Sequence, residues 1–194
     1  MMQAKQLKYN KLSCISEKQL AEHYILYNGY INKLNETREK MRNADLKLAN
    51  ATLSELRSLK KSETFALNGI KLHEHYFENM GENKTQPNND VFKLINEAFG
   101  SYQSFKEEFA ATALAVRGWV ILAYDLDEKK LRIFGSDSHD NGVVWNCVLL
   151  LILDVYEHAY FMDYGTGRKK YAEAFIESIN WDAVNEVAKK HNLK

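Results

Sequence analysis

Residues 119–134 read Trp-Val-Ile-Leu-Ala-Tyr-Asp-Leu-Asp-Glu-Lys-Lys-Leu-Arg-Ile-Phe. Two apolar, partly β-branched runs, Trp119 to Tyr124 and Leu131 to Phe134, flank the charged Asp125 to Lys130 segment. That is the signature of a β-hairpin with a longer loop. Downstream, Val148 to Val155 predicts a third, buried strand. Upstream the periods are helical. Ser16 with Gln19 three residues on forms a capping-box pattern, opening a helix through Leu20, His23 and Tyr27. Gly29 costs that helix about 1 kcal/mol relative to Ala, which predicts a close approach by a neighbour there. Leu46, Leu48, Leu53, Leu56 and Leu59 suggest further helix, followed by another over Leu67 to Met80. A turn-rich stretch, residues 81–90, holds Pro87, the only proline of the chain. Past it, Val91 to Phe99 and Tyr102 to Val116 read as helices split at Gly100, while Tyr171 to Ile179 and Asp182 to His191 close the chain. The expected fold is α+β. A helical hairpin domain spans residues 1–86. A second domain, residues 87–194, carries a small three-stranded antiparallel sheet flanked by helices.

Composition narrows the function. In 194 residues, 26 Lys and Arg balance 26 Asp and Glu, whereas a general nucleic-acid binder carries a basic excess. With 45% hydrophobic and 27% charged residues, a packed core under a solvated surface is expected rather than disorder. No apolar run approaches the roughly 18 to 20 residues that span a bilayer, and residues 1–13 lack the apolar stretch of a secretory signal. Cys14 and Cys147 are too few for a disulfide framework and read as inert thiols. A cytoplasmic protein with no nucleic-acid or membrane partner is expected.

Six histidines bound the possible chemistry: His23, His73, His75, His139, His158 and His191. Asp154 and His158 lie four residues apart beside an apolar run, and a buried Asp is costly unless paired or bound to a cation. That spacing fits a hydrogen-bonded pair as well as a metal site. His23, Tyr27 and Tyr30 share one helical face, which suits either core or site. His73 and His75 would both point inward on a strand. On a helix they lie about 200° apart, so one points inward, and the neighbouring apolar spacing favours the helix. His-Glu-x-x-His, a phosphate-binding glycine loop and a nucleophile elbow are all missing from the sequence.

At residues 154–164, DVYEHAYFMDY, the chain resembles the iron/manganese superoxide dismutase family, which carries Asp-x-Trp-Glu-His-Ala-Tyr-Tyr there. The resemblance extends over nearly the whole chain. HYILYNGYINKLN (residues 23–35) is similar to the family's first-helix segment and NGIKLHEHYFENM (68–80) to its second-ligand segment. FKEEFAATALAVRGWVIL (105–122), KLRIFGSDSHDN (130–141) and YAEAFIESINWDAV (171–184) match in turn. The resemblance implies dismutation of superoxide to dioxygen and hydrogen peroxide at one iron or manganese per subunit. The implied metal ligands are His23, His73, Asp154 and His158. His73 is preferred to His75 because Asn79 and Met80 then fall at the family's offsets. Tyr30 is implied as the gateway tyrosine of the substrate funnel. Glu157 is implied to reach the partner's ligand histidine in a homodimer formed through Glu157 and His158.

The chain also departs from the pattern. Tyr27 stands where many members have a histidine, Tyr156 replaces the signature tryptophan, and Phe161 replaces a tyrosine. His139 takes the place of the glutamine that hydrogen-bonds the metal's solvent. These departures motivate an alternative: a metal-binding or interaction protein derived from the family and lacking dismutase activity. Because the net charge is zero, any steering of the anion must be local, with Lys33 and Arg168 as candidates.

Overall fold

Ser16 caps the first helix, α1 (Glu17–Arg42), its side chain accepting the Gln19 backbone N–H at 3.1 Å. The computed structural model describes residues 1–9, 12–82, 85–142 and 144–194. Asn83 and Lys84 of the turn-rich stretch therefore lie outside the described residues. Only half of the capping box forms. The Gln19 side chain reaches away from its own helix, donating to the His158 carbonyl at 2.6 Å and accepting from Met162 N–H at 3.1 Å. Leu20, His23, Tyr27, Ile31 and Leu34 line the buried face of α1 at helical spacing.

That face packs on α2 (Glu55–Asn79), giving the expected helical hairpin. Two local expectations fail. Among the described residues, a Cβ at Gly29 would meet nothing within 4 Å beyond its own helix, so no neighbouring element approaches closely there. Leu46, Leu48 and Leu53 lie outside any α-helix and are 67%, 68% and 84% exposed, the first two in one 3-10 turn. Leucine spacing alone does not separate a buried stripe from an exposed connection.

Next come α3 (Asn89–Phe99) and α4 (Tyr102–Ala115), broken at Gly100, whose φ of 81° suits a residue without Cβ. The hairpin β1 (Trp119–Asp125) and β2 (Lys130–Ser136) forms as expected, and β3 (Cys147–Asp154) joins it. All pairing is antiparallel in the order β2-β1-β3, with Trp119 opposite Asp154. β3 is held against the end of α2 by one side chain. Asn79 accepts Ile152 N–H at 2.9 Å and donates to the Leu150 carbonyl at 3.2 Å, satisfying backbone groups that burial would otherwise leave unpaired. A 3-10 turn (Glu157–Ala159) and the short α5 (Phe161–Tyr164) follow, then α6 (Arg168–Glu177) and α7 (Trp181–Lys190).

Candidate metal centre

Four elements bring the site together. α1 supplies His23, α2 supplies His73, the end of β3 supplies Asp154, and the following 3-10 turn supplies His158. One ligand atom from each lies within 4.8 Å of all the others. Asp154 is the hub. Its Oδ1 accepts Tyr156 N–H at 2.9 Å, and its backbone carbonyl accepts from the Tyr171 hydroxyl at 2.8 Å. Its Oδ2 faces Nε2 of His23 at 3.1 Å, of His158 at 3.3 Å and of His73 at 3.8 Å.

The donor chemistry fits a cation. His73 Nδ1 lies 2.6 Å from the Gly69 carbonyl, which can only accept, so Nδ1 carries the proton. In the neutral ring Nε2 then presents a lone pair toward a carboxylate oxygen, with no proton between two acceptors. Burial drives the His73 pKa down to about 3, which keeps the ring neutral. His23 is fully buried; its Nδ1 has no hydrogen-bond partner among the described residues, and its Nε2 meets Asp154 Oδ2. An unpaired buried polar atom costs roughly 1 to 3 kcal/mol, and a metal at Nε2 offsets the cost of burying the ring. A ligand imidazole tied through its other nitrogen to a backbone carbonyl is the usual arrangement at metal sites. Burial alone would raise the Asp154 pKa, but His158 and His23 hold it well below the carboxylate range. For His158, burial lowers the pKa and Asp154 more than offsets it.

His75 is only partly buried and stands outside the cluster, so one of the two nearby histidines points inward, and it is His73. Tyr30 lies beside the cluster, its ring 5.4 Å from His73 and 4.7 Å from His139. His139 is buried, with its ring 5.9 Å from His73 and its Nδ1 unpartnered among the described residues. Burial lowers its pKa against the pull of Asp154. Trp119 closes the site from the sheet side, edge-on to His73 at 5.0 Å. Tyr156 stacks on His158 at 5.3 Å and anchors its hydroxyl on the Asp137 carbonyl at 2.9 Å. It thus covers the imidazole as a flat aromatic ring. Phe161 is 49% exposed.

Of the two proposed steering cations, Arg168 is engaged elsewhere, donating to Tyr160 Oη at 3.1 Å and the Val116 carbonyl at 3.0 Å. Lys33 lines a cleft of about 600 Å³ that Tyr30, Phe65, Arg57 and Lys61 also line. Sequence reasoning missed Gly69. A Cβ there would lie 2.6 Å from His139 Nδ1, so the glycine makes room for the imidazole. No local signal marks this role, since His139 lies far along the chain; the spacing shows only that Gly69 sits one helical turn before His73.

The comparisons with known proteins agree with this geometry. The family described as iron/manganese superoxide dismutases, C-terminal domain, matches residues 87–187. The chain is 40% identical over 185 residues to a superoxide dismutase [Fe] of Aquifex aeolicus (strain VF5), across 93% of this chain and 87% of the relative. It is 35% identical over 179 residues to a superoxide dismutase [Mn] of Haloarcula marismortui, across 91% and 86%. To a superoxide dismutase [Fe] of Saccharolobus solfataricus it is 34% identical over 176 residues, across 87% and 82%. With intact ligand geometry and this similarity along nearly its whole length, the chain belongs to the iron/manganese superoxide dismutase family.

Proposed function

We propose that this chain dismutates superoxide to dioxygen and hydrogen peroxide with one iron or manganese per subunit, held by His23, His73, Asp154 and His158. The observation that carries this is the convergence of three imidazole nitrogens on one carboxylate oxygen at 3.1 to 3.8 Å. When bound, the metal supplies one-electron chemistry between +3 and +2, so that two superoxide ions and two protons give one dioxygen and one peroxide. The chain's own residues hold, shield and protonate. Three neutral imidazoles and one carboxylate set the site's charge. Trp119 and Tyr156 exclude bulk water. Tyr30, whose pKa burial raises, keeps its hydroxyl proton at neutral pH and is placed to relay it. A dismutation assay on purified protein, with metal content measured alongside, tests the proposal. Stoichiometric iron or manganese without dismutation would refute it.

The division at residues 86 and 87 is supported by the family match, which begins at residue 87. His23, Tyr30 and His73 then come from the first part, and His139, Asp154 and His158 from the second. Steering is assigned to the cleft over Tyr30, which Lys33, Arg57, Lys61 and Asp140 line, with Lys33 Nζ also paired to Glu36 at 2.7 Å. A reducing, cytoplasmic setting is supported by the free thiols of Cys14 and Cys147.

The homodimer is proposed through Glu157 and His158. Glu157 is exposed, Phe161 and Met162 nearby are 49% and 48% exposed, and the His158 side chain is 30% exposed beside them. A partner covering this surface would bury apolar area and complete the wall of the site. A glutamate accepting from the partner's His158 is a charge-assisted contact, and breaking one costs about 2 to 5 kcal/mol. Glu157→Ala is therefore expected to dissociate at concentrations where wild type remains paired. Sedimentation at low micromolar protein checks this, and an unchanged dimer would count against it.

His139 is assigned to tuning. A donor to metal-bound solvent shifts the metal's reduction potential, and imidazole differs from an amide in reach and tautomer. His139→Gln is expected to keep metal content and fold while changing the ratio of iron-loaded to manganese-loaded activity. Protein reconstituted separately with each metal gives that ratio. An identical ratio in wild type and variant would remove His139 from the mechanism.

A further inference from the structure

Residues 1–9 lie across α1 and α2, the helices that carry His23 and His73. Their attachments converge on two groups. Tyr27, fully buried one turn beyond His23, donates its hydroxyl to Glu74 Oε1 at 2.9 Å and accepts Lys5 N–H at 3.0 Å. Lys5 Nζ closes the ring on Glu74 Oε2 at 2.8 Å, with Glu78 at 3.6 Å. Tyr24 Oη donates to the Lys5 carbonyl at 2.9 Å. Farther along α1, Met2 and Asn35 exchange two hydrogen bonds of 2.9 Å. The Glu74 side chain is 12% exposed and that of Lys5 59%. A mostly buried carboxylate is thus neutralised by a cation from the outside.

This ring of contacts sits directly behind the metal site. Glu74 follows His73 in the chain, and the Tyr27 ring lies 6.3 Å from the His73 ring. Both rings border Phe77, at 5.9 and 6.1 Å. We propose that Lys5 is a positioning residue for the metal centre: by clamping Glu74 and Tyr27 it fixes α1 against α2 at the level of His23 and His73, and so slows metal release. This rests on the metal reading of the site. Without the Lys5 cation, Glu74 keeps, among the described residues, only the Tyr27 hydroxyl, and a largely dehydrated carboxylate with one neutral partner turns toward water. Tyr27 loses its anchor to α2 with it, and the spacing of the two ligands loosens.

The test uses full-length, manganese-loaded protein, with release followed into excess chelator well below each variant's unfolding temperature. Lys5→Met is expected to release manganese several-fold faster than wild type, less than the roughly 10- to 100-fold that losing a direct partner of a ligand costs, because Lys5 reaches the ligands only through Glu74 and Tyr27. Lys5→Arg restores the cation and is expected to match wild type. Tyr27→Phe keeps the ring packing, removes the hydroxyl tie, and is expected to release faster as well. The manganese electron paramagnetic resonance spectrum should shift in Lys5→Met and Tyr27→Phe alone. Equal release rates for Lys5→Met and wild type, or equally fast release from Lys5→Arg and Lys5→Met, would overturn the proposal. A wild type that takes up no iron or manganese would instead overturn the metal reading.

Discussion

Asp154→Ala is expected to lose both stoichiometric metal and dismutation. Asp154 is fully buried, and its Oδ2 is the atom on which His23, His73 and His158 converge. It is also the only anion in the cluster. Without it, three neutral imidazoles would have to hold a trivalent ion, with no compensating charge in a dehydrated site. The alanine also strands Tyr156 N–H, which now donates to Oδ1 at 2.9 Å. Asp154→Asn separates these effects, since it keeps an acceptor of the same shape and removes the charge. It too is expected to fail in metal retention while keeping the fold. Metal analysis and circular dichroism on both variants check this. Full metal and near-wild-type dismutation in Asp154→Ala would show that the carboxylate is not a ligand.

The second large effect separates two histidines that lie two residues apart. His73→Ala is expected to lose the metal and His75→Ala to keep it. On α2 the two side chains diverge by about 200°. His73 is fully buried with Nε2 turned to Asp154, whereas His75 is partly buried outside the cluster. Removing His73 also leaves the Gly69 carbonyl without the Nδ1–H that it accepts at 2.6 Å. Metal content after identical reconstitution decides between them, and the reverse pattern would shift the α2 register by two residues.

Much of this was legible where the signal is local. Ser16 caps α1 by its own side chain, the Trp119 to Phe134 segment forms the hairpin, and Gly100 breaks α3 from α4. Boundaries moved by a few residues, as at β2, which extends to Ser136. Expectations failed where the reason lies far along the chain. Gly29 and Gly69 look alike in sequence, yet only Gly69 has a neighbour in close approach, and that neighbour is His139. The Gln19 side chain spends its amide on His158 and Met162, which no capping rule anticipates. At the site, residue spacing by itself left Asp154 with His158, and His73 with His75, as open alternatives. The resemblance selected among them, and the geometry agrees. The clamp of Lys5, Glu74 and Tyr27 was invisible because it joins three segments distant in sequence.

The central claim is that one redox metal sits among His23, His73, Asp154 and His158. Anomalous diffraction from crystals of iron- or manganese-loaded protein, collected at that metal's absorption edge, measures this directly. The account predicts a single strong peak per subunit within bonding reach of His23 Nε2, His73 Nε2, His158 Nε2 and Asp154 Oδ2. A peak elsewhere in the subunit, or a peak that leaves any of these four atoms out of bonding reach, would contradict it.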